Sequence, residues 1–367
     1  MKQFNPYKEV ERLEDLPAPV DGLVCHYAFQ YIDFTQAEDY AVSSHFRDCI
    51  FMGCEMPEAM SHRMWVDCLV FPRMGMIFKA FANCLYTGET LYEGYDPKDE
   101  STFSECFDQR VYRDYLANGA QSCDIRVTLA RSLHDHAMSD AMGNLLDQYG
   151  EGNIIAIMGG HAMKRTDVSY RKIVLISKRL TELGKLMVSG GGPGAMEATH
   201  LGAWMAGRTE EELEDALAII SSAPVFGDAG WLSSAFEVRE KYPQTKYRSL
   251  GVPTWLYGHE PATPFATDIA KYFQNSIRED GILSIAKGGV IYTPGSAGTM
   301  QEIFQDGAQN HYESAGYASP MIFLGVDFYT KELPVYPFLQ SLMEKGKYKN
   351  LILSITDSID DVICALT

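Results

Sequence analysis

The chain has 367 residues, 46% of them hydrophobic and 22% charged, which excludes a disordered protein and provides length for two domains. Its formal net charge of −18, with no basic stripe, argues against holding a nucleic-acid backbone, which needs clustered Lys and Arg. The longest apolar runs fall well short of the roughly 20 residues of a membrane span, and no signal peptide is evident, so a cytoplasmic protein with reduced thiols is expected.

Residues 1–150 are rich in Cys, Met and aromatic residues, with short strand-like pieces at 22–29, 49–53 and 67–71 between acidic, turn-rich stretches. They are read as a smaller mixed α+β N-terminal domain, and no internal repeat is legible in them. Seven of the eight cysteines fall at or before Cys123. The pairs Cys49/Cys54 and Cys106/Cys123 lack partners at zinc-ligand spacing and read as small buried hydrophobes. His134 and His136 form an HxH with no third ligand nearby and read as structural.

After residue 150 the pattern becomes apolar strand, polar connection, amphipathic helix. A buried strand at 154–158 is followed by Ile173, Ile176, Leu180 and Leu183, which recur at helical spacing, and by a strand at 186–189. The acidic stretch 209–215 suits the first turn of a surface helix. Further strands are expected at 254–257, 290–293, 321–326 and 351–355. Strands alternating with helices predict an α/β fold over 151–367, a Rossmann-like doubly wound parallel sheet.

In such a sheet ligands collect at the carboxyl ends of the strands, and three turns fall there. They are Gly159-Gly160-His161, Ser189-Gly190-Gly191-Gly192-Pro193-Gly194-Ala195-Met196-Glu197 and Pro294-Gly295-Ser296-Ala297-Gly298-Thr299-Met300-Gln301-Glu302. The second and third each join a strand to a helix, where unpaired N–H groups and the helix dipole favour an anion. Gly190 to Ala195 also satisfies the dinucleotide pattern GxGxxG/A, but it follows the second strand and lacks the acidic ribose partner, so it is not read as an NAD site. Glu197 reads equally as a ribose ligand or as a charge complementing its helix dipole. Thr299-x-x-Glu302 reads equally as part of a site or as a capping box. His161 reads as a phosphate or base contact, or as a structural histidine.

Taken together, the three turns resemble the motifs of the Lonely Guy (LOG) family, most closely its branch of bacterial pyrimidine/purine nucleotide 5′-monophosphate nucleosidases. The likeness runs from about Ile154 to the C-terminus. It implies hydrolysis of the N-glycosidic bond of a nucleoside 5′-monophosphate to free base and ribose 5-phosphate, with no cofactor and no metal, in a homodimer or larger homo-oligomer. The resemblance further implies Glu302 and Arg278 as the catalytic pair, with substrate held by Gly159, Gly160, His161, Gly190, Gly191, Gly192, Gly194, Glu197, Gly295, Ser296, Ala297, Gly298 and Thr299. The position of Arg278 matches after one inserted residue, most easily placed in Lys287-Gly288-Gly289. The family's PGG is Pro294-Gly295-Ser296 here, and a Cβ would be strained there if the backbone needed positive φ. That departure also motivates an alternative, a nucleotide-binding sensor without turnover.

Overall fold

A computed structural model describes residues 7–60 and 67–367 and divides into two compact units, residues 1–85 with 116–141 and residues 86–115 with 142–367. In the first unit β1 (Lys8–Val10), β3 (Tyr27–Gln30), β5 (Ile50–Met52) and β6 (Leu69–Phe71) form a parallel sheet in that order. The strands β2 (Leu23–Cys25) and β4 (His45–Arg47) form a separate parallel pair. Strand order along the sheet equals order along the chain, so each coil of roughly twenty residues lies on its predecessor, as in a β-solenoid. Phe29 and Phe51 occupy paired positions on adjacent coils and stack with ring centroids 4.9 Å apart, and Phe34 and Phe46 pack edge-on around them. The strand-like pieces expected here are found as strands. The expectation of a repeat-free α+β domain is replaced by this stack.

The second unit is built on seven parallel strands: β7 (Ile154–Met158), β8 (Leu186–Ser189), β9 (Ser249–Gly251), β10 (Asp268–Ile269), β11 (Gly289–Tyr292), β12 (Pro320–Leu324) and β13 (Ile352–Thr356). Their spatial order is β10-β9-β8-β7-β11-β12-β13. Helices α1 (Val168–Glu182), α2 (Ala195–Trp204), α3 (Glu210–Ile220), α4 (Trp231–Lys241), α5 (Asn275–Ile285), α6 (Ala297–Tyr312), α7 (Val335–Glu344) and α8 (Ile359–Leu366) connect or follow them. Ile155, Ile157, Met187 and Ile291 share one core with residues of α1, α2 and α8. Side chains alternate along a strand, so Tyr292 points to the other face, where its hydroxyl donates to Asp306 of α6 at 2.7 Å. Helices therefore cover both faces, as a doubly wound sheet requires.

Two of the expected elements change. The segment 254–257 is a 3-10 turn, because Thr254 Oγ1 accepts from the Leu256 N–H and closes the chain on itself, while the unpredicted Ser249–Gly251 supplies the strand. Leu183 lies just past the end of α1 and is exposed, although Ile173, Ile176 and Leu180 are fully buried. The acidic stretch does open α3, with Thr209 and Glu212 forming a reciprocal capping box.

The border at residue 150 also moves. Tyr86 exchanges two backbone hydrogen bonds with Ile269 at the edge of the large sheet. The fully buried Asp108 accepts from Lys271 Nζ at 2.6 Å and from Trp255 Nε1 at 3.0 Å. A buried carboxylate persists only where such partners meet it, so residues 86–115 belong with the large sheet. Cys49 and Cys106 are buried as expected, Cys54 is half-buried, and Cys123 is exposed, contrary to its reading as a core residue. All eight cysteines are free thiols. No helix among the described residues is long and apolar enough to cross a membrane.

Candidate functional site

Strand order creates the site. From β7 the chain winds outward through β8, β9 and β10, and then returns to β7's other side with β11, so the switch point lies between β7 and β11. The three turns follow β8, β7 and β11, adjacent strands at the switch point. They are tied together by backbone hydrogen bonds: Gly160 N–H donates to Pro294 O at 3.2 Å, and Ala195 N–H donates to Gly160 O at 3.2 Å. Gly194 makes the knot possible. Its φ is +71°, and a Cβ there would sit 2.5 Å from Gly160 O.

The turns surround a cavity of about 270 Å³ lined by Gly159, Gly160, His161, Gly190, Arg278, Ser296, Gly298, Thr299 and Glu302. Tyr257, Glu260, Glu279, Met158 and Met196 complete the lining. Gly191, Gly192, Gly295 and Ala297 lie in the same turns without lining it. Gly190 admits the guanidinium, since a Cβ there would lie within 2.2 Å of Arg278 Nη2. Arg278 Nε donates to Val252 O at 3.0 Å, while its terminal nitrogens have no hydrogen-bond partner among the described residues.

Helix α6 begins at Ala297, with Ser296 as its N-cap and no side-chain cap. Thr299 is therefore its third residue, and Glu302 lies in the second turn. The capping-box reading of Thr299 and Glu302 fails for that reason. The first helical bond is Met300 N–H to Ser296 O, so the N–H groups of Ala297, Gly298 and Thr299 have no backbone acceptor among the described residues. No described residue hydrogen-bonds the Glu302 carboxyl. Burial pushes it up to about 7, against the pull of Arg278 and with the Glu279 carboxylate adding to the rise. Ser296 has φ −115°, so its Cβ carries no positive-φ strain, and the doubt raised by its replacing glycine is removed on that count.

Glu197 has a different place. It is fully buried, accepts from Arg165 Nε and Nη2 at 2.9 and 2.6 Å and from the Tyr170 hydroxyl at 2.9 Å, and does not line the cavity. Arg165 also donates to the carbonyls of Ile220, Ala223 and Trp231 and to Ser234. This cluster joins the starts of α2 and α4 to the end of α3. Its carboxylate oxygens are occupied, so the reading of Glu197 as a ribose ligand gives way to a structural one. With Gly194 it borders a separate cavity of about 160 Å³. His134 is likewise structural, being fully buried with Nδ1 3.1 Å from Asp135 Oδ1.

Sequence reasoning missed Glu260, Glu279 and Tyr257. Glu279 accepts from Asn275 at 2.6 Å and Gln301 at 3.1 Å, which joins α5 to α6 beside Glu302. Its adjacency to Arg278 was its only signal. Glu260 stands in a loop held by Glu260 N–H to Tyr257 O and Thr263 N–H to Gly191 O, with nothing periodic to mark it. Its Oε1 lies 3.9 Å from His161 Nδ1.

The fold and the three turns together define a parallel α/β protein with a cavity at its switch point that carries Arg278 and three carboxyl groups. No family model matches the chain, and no curated protein matches it. Among solved structures it is similar to the molybdenum cofactor binding protein from the phototrophic bacterium Rippkaea orientalis, at 15% identity and a TM-score of 0.36, over 57% of this chain and 92% of that chain.

Proposed function

We propose that the protein hydrolyses the N-glycosidic bond of a nucleoside 5′-monophosphate, releasing free base and ribose 5-phosphate, as its motif resemblance to LOG-type nucleosidases implies. The observation that carries this reading is Glu302: a half-buried carboxyl without a hydrogen-bond partner beside Arg278, at a cavity where the N-terminus of α6 offers N–H groups unpaired among the described residues. The phosphate is assigned to that helix start, where dipole and N–H groups favour an anion. Breaking the ribosyl C–N bond develops positive charge at C1′, which an ionised Glu302 stabilises while it accepts a proton from the attacking water. Arg278 holds phosphate or sugar oxygens through its two free terminal nitrogens. The protein is expected to work in the cytoplasm as a homodimer or larger homo-oligomer.

The test is a product assay on purified protein with AMP, GMP, CMP, UMP and modified nucleotides. Ribose 5-phosphate released by the wild type and lost in Glu302→Gln is the expected result. Nucleotide binding without release of base over hours would replace hydrolysis by the sensor reading.

A further inference from the structure

The charged lining of the cavity sets a problem for the departing base. Glu260, Glu279 and Glu302 contribute three carboxyl groups, against one guanidinium from Arg278. The anion of a purine or pyrimidine is a strongly basic, poor leaving group, and here it would also enter a region where like charges dominate, so a proton must reach the base as the bond breaks. Glu302 cannot supply that proton while it takes one from water.

We propose that His161, backed by Glu260, is the acid that protonates the departing base; this rests on the nucleosidase reading above. His161 lines the cavity on the turn after β7, whereas Glu302 reaches it from the helix after β11. Its backbone is held by the knot of turns, through Gly160 and the close approach of Gly194 to His161 O. Its Nδ1 faces Glu260 Oε1 at 3.9 Å, and Nε2 has no hydrogen-bond partner among the described residues, which leaves it open to the ligand. Glu260 is itself anchored, because its loop bonds to Gly191 of the second turn.

The step balances. The C1′–N bond breaks and its electron pair goes to the base nitrogen system, which takes the proton from His161. Water forms the new C1′–O bond and passes a proton to Glu302. Solvent exchange then returns one proton to His161 and removes one from Glu302.

The experiment compares two leaving groups on the full chain: the best nucleoside 5′-monophosphate, and 4-nitrophenyl β-D-ribofuranoside 5-phosphate, whose phenolate departs without needing an acid. His161→Gln is expected to lose about 10²-fold or more on the nucleotide while keeping the nitrophenyl rate within about threefold. Glu260→Gln is expected to show the same split at about tenfold. Retained nitrophenyl cleavage also reports that each variant is folded. Equal losses on both substrates, an unimpaired nucleotide rate in His161→Gln, or a split that appears in Tyr257→Phe instead would overturn the assignment while leaving the nucleosidase reading intact. A wild type that releases ribose 5-phosphate from neither substrate would overturn the nucleosidase reading and this assignment together.

Discussion

The turns after β8 and β11 look alike in sequence, each a small-residue corner opening a helix with a glutamate in its first or second turn, yet they have opposite fates. At the turn after β8 the first N–H of α2 is taken by Gly160 O, and Glu197 is enclosed by Arg165 and Tyr170. At the turn after β11 the N–H groups opening α6 are unpaired and Glu302 has no hydrogen-bond partner among the described residues. The first corner lends Gly190 and Met196 to the cavity wall but has its leading N–H and its glutamate closed off by the protein itself, whereas the second leaves both open among the described residues. A glycine-rich helix start is therefore an offer of anion binding, and what already occupies the N–H groups decides whether the offer is open.

The largest effect that would sharpen this contrast is catalytic. Glu302→Gln should lower turnover of the best nucleotide by roughly 10² to 10⁴, measured as released ribose 5-phosphate. The same variant should melt higher than wild type at pH 8. In the wild type the Glu302 carboxyl has its ordinary value of 4.5 when unfolded and is pushed up to about 7 in the fold, so stability present below 4.5 is lost as pH rises toward 7. That loss amounts to about 3 kcal/mol at most and is absent in the amide. A variant that melts lower at pH 8 and keeps full activity would return Glu302 to a structural role.

The matching change in the closed corner should act on the fold. Glu197→Gln leaves Arg165 buried without its counter-charge and should lower unfolding free energy by about 3 to 5 kcal/mol in denaturant titration. Unchanged stability combined with a raised KM would reverse the assignment of the two corners.

A smaller effect concerns pH. The wild-type rate should rise through about pH 7, since Glu302, raised to about 7 by desolvation, becomes a carboxylate only there, and Glu302→Gln should flatten that limb of the kcat/KM profile. A rise complete by pH 5 would mean that the acting carboxyl is an exposed one.

The smallest effect is expected at Ser296. With φ −115° its backbone makes no demand for glycine, so Ser296→Gly should change turnover by less than about threefold and stability by about a kcal/mol or less. A large gain in rate would mean that the Ser296 side chain obstructs the ligand.

The difference between the two units also explains what was legible. In the large sheet, Ile154–Met158 and Leu186–Ser189 are buried on both faces and stand out as continuous apolar runs with glycine turns after them, so both strands and the turns were readable. Ser249–Gly251 and Asp268–Ile269 are too short to carry a period and were missed. The N-terminal coils have strands of three or four residues with connections of varying composition, so the repeat lies in backbone pairing and in the Phe29–Phe51 stack and not in a recurring motif.

The sequence by itself determined the alternation of strands and helices and the three rim turns, because backbone conformation and burial are written locally in residue type and spacing; the candidacy of Glu302 and Arg278 came from the motif resemblance and not from spacing. Tertiary structure alone decided that Glu197 is enclosed while Glu302 stays open, that Glu260 and Glu279 join the cavity, and that residues 86–115 belong with the large sheet. Those outcomes depend on which partners arrive from distant segments, and a buried charge takes its role from the groups that meet it.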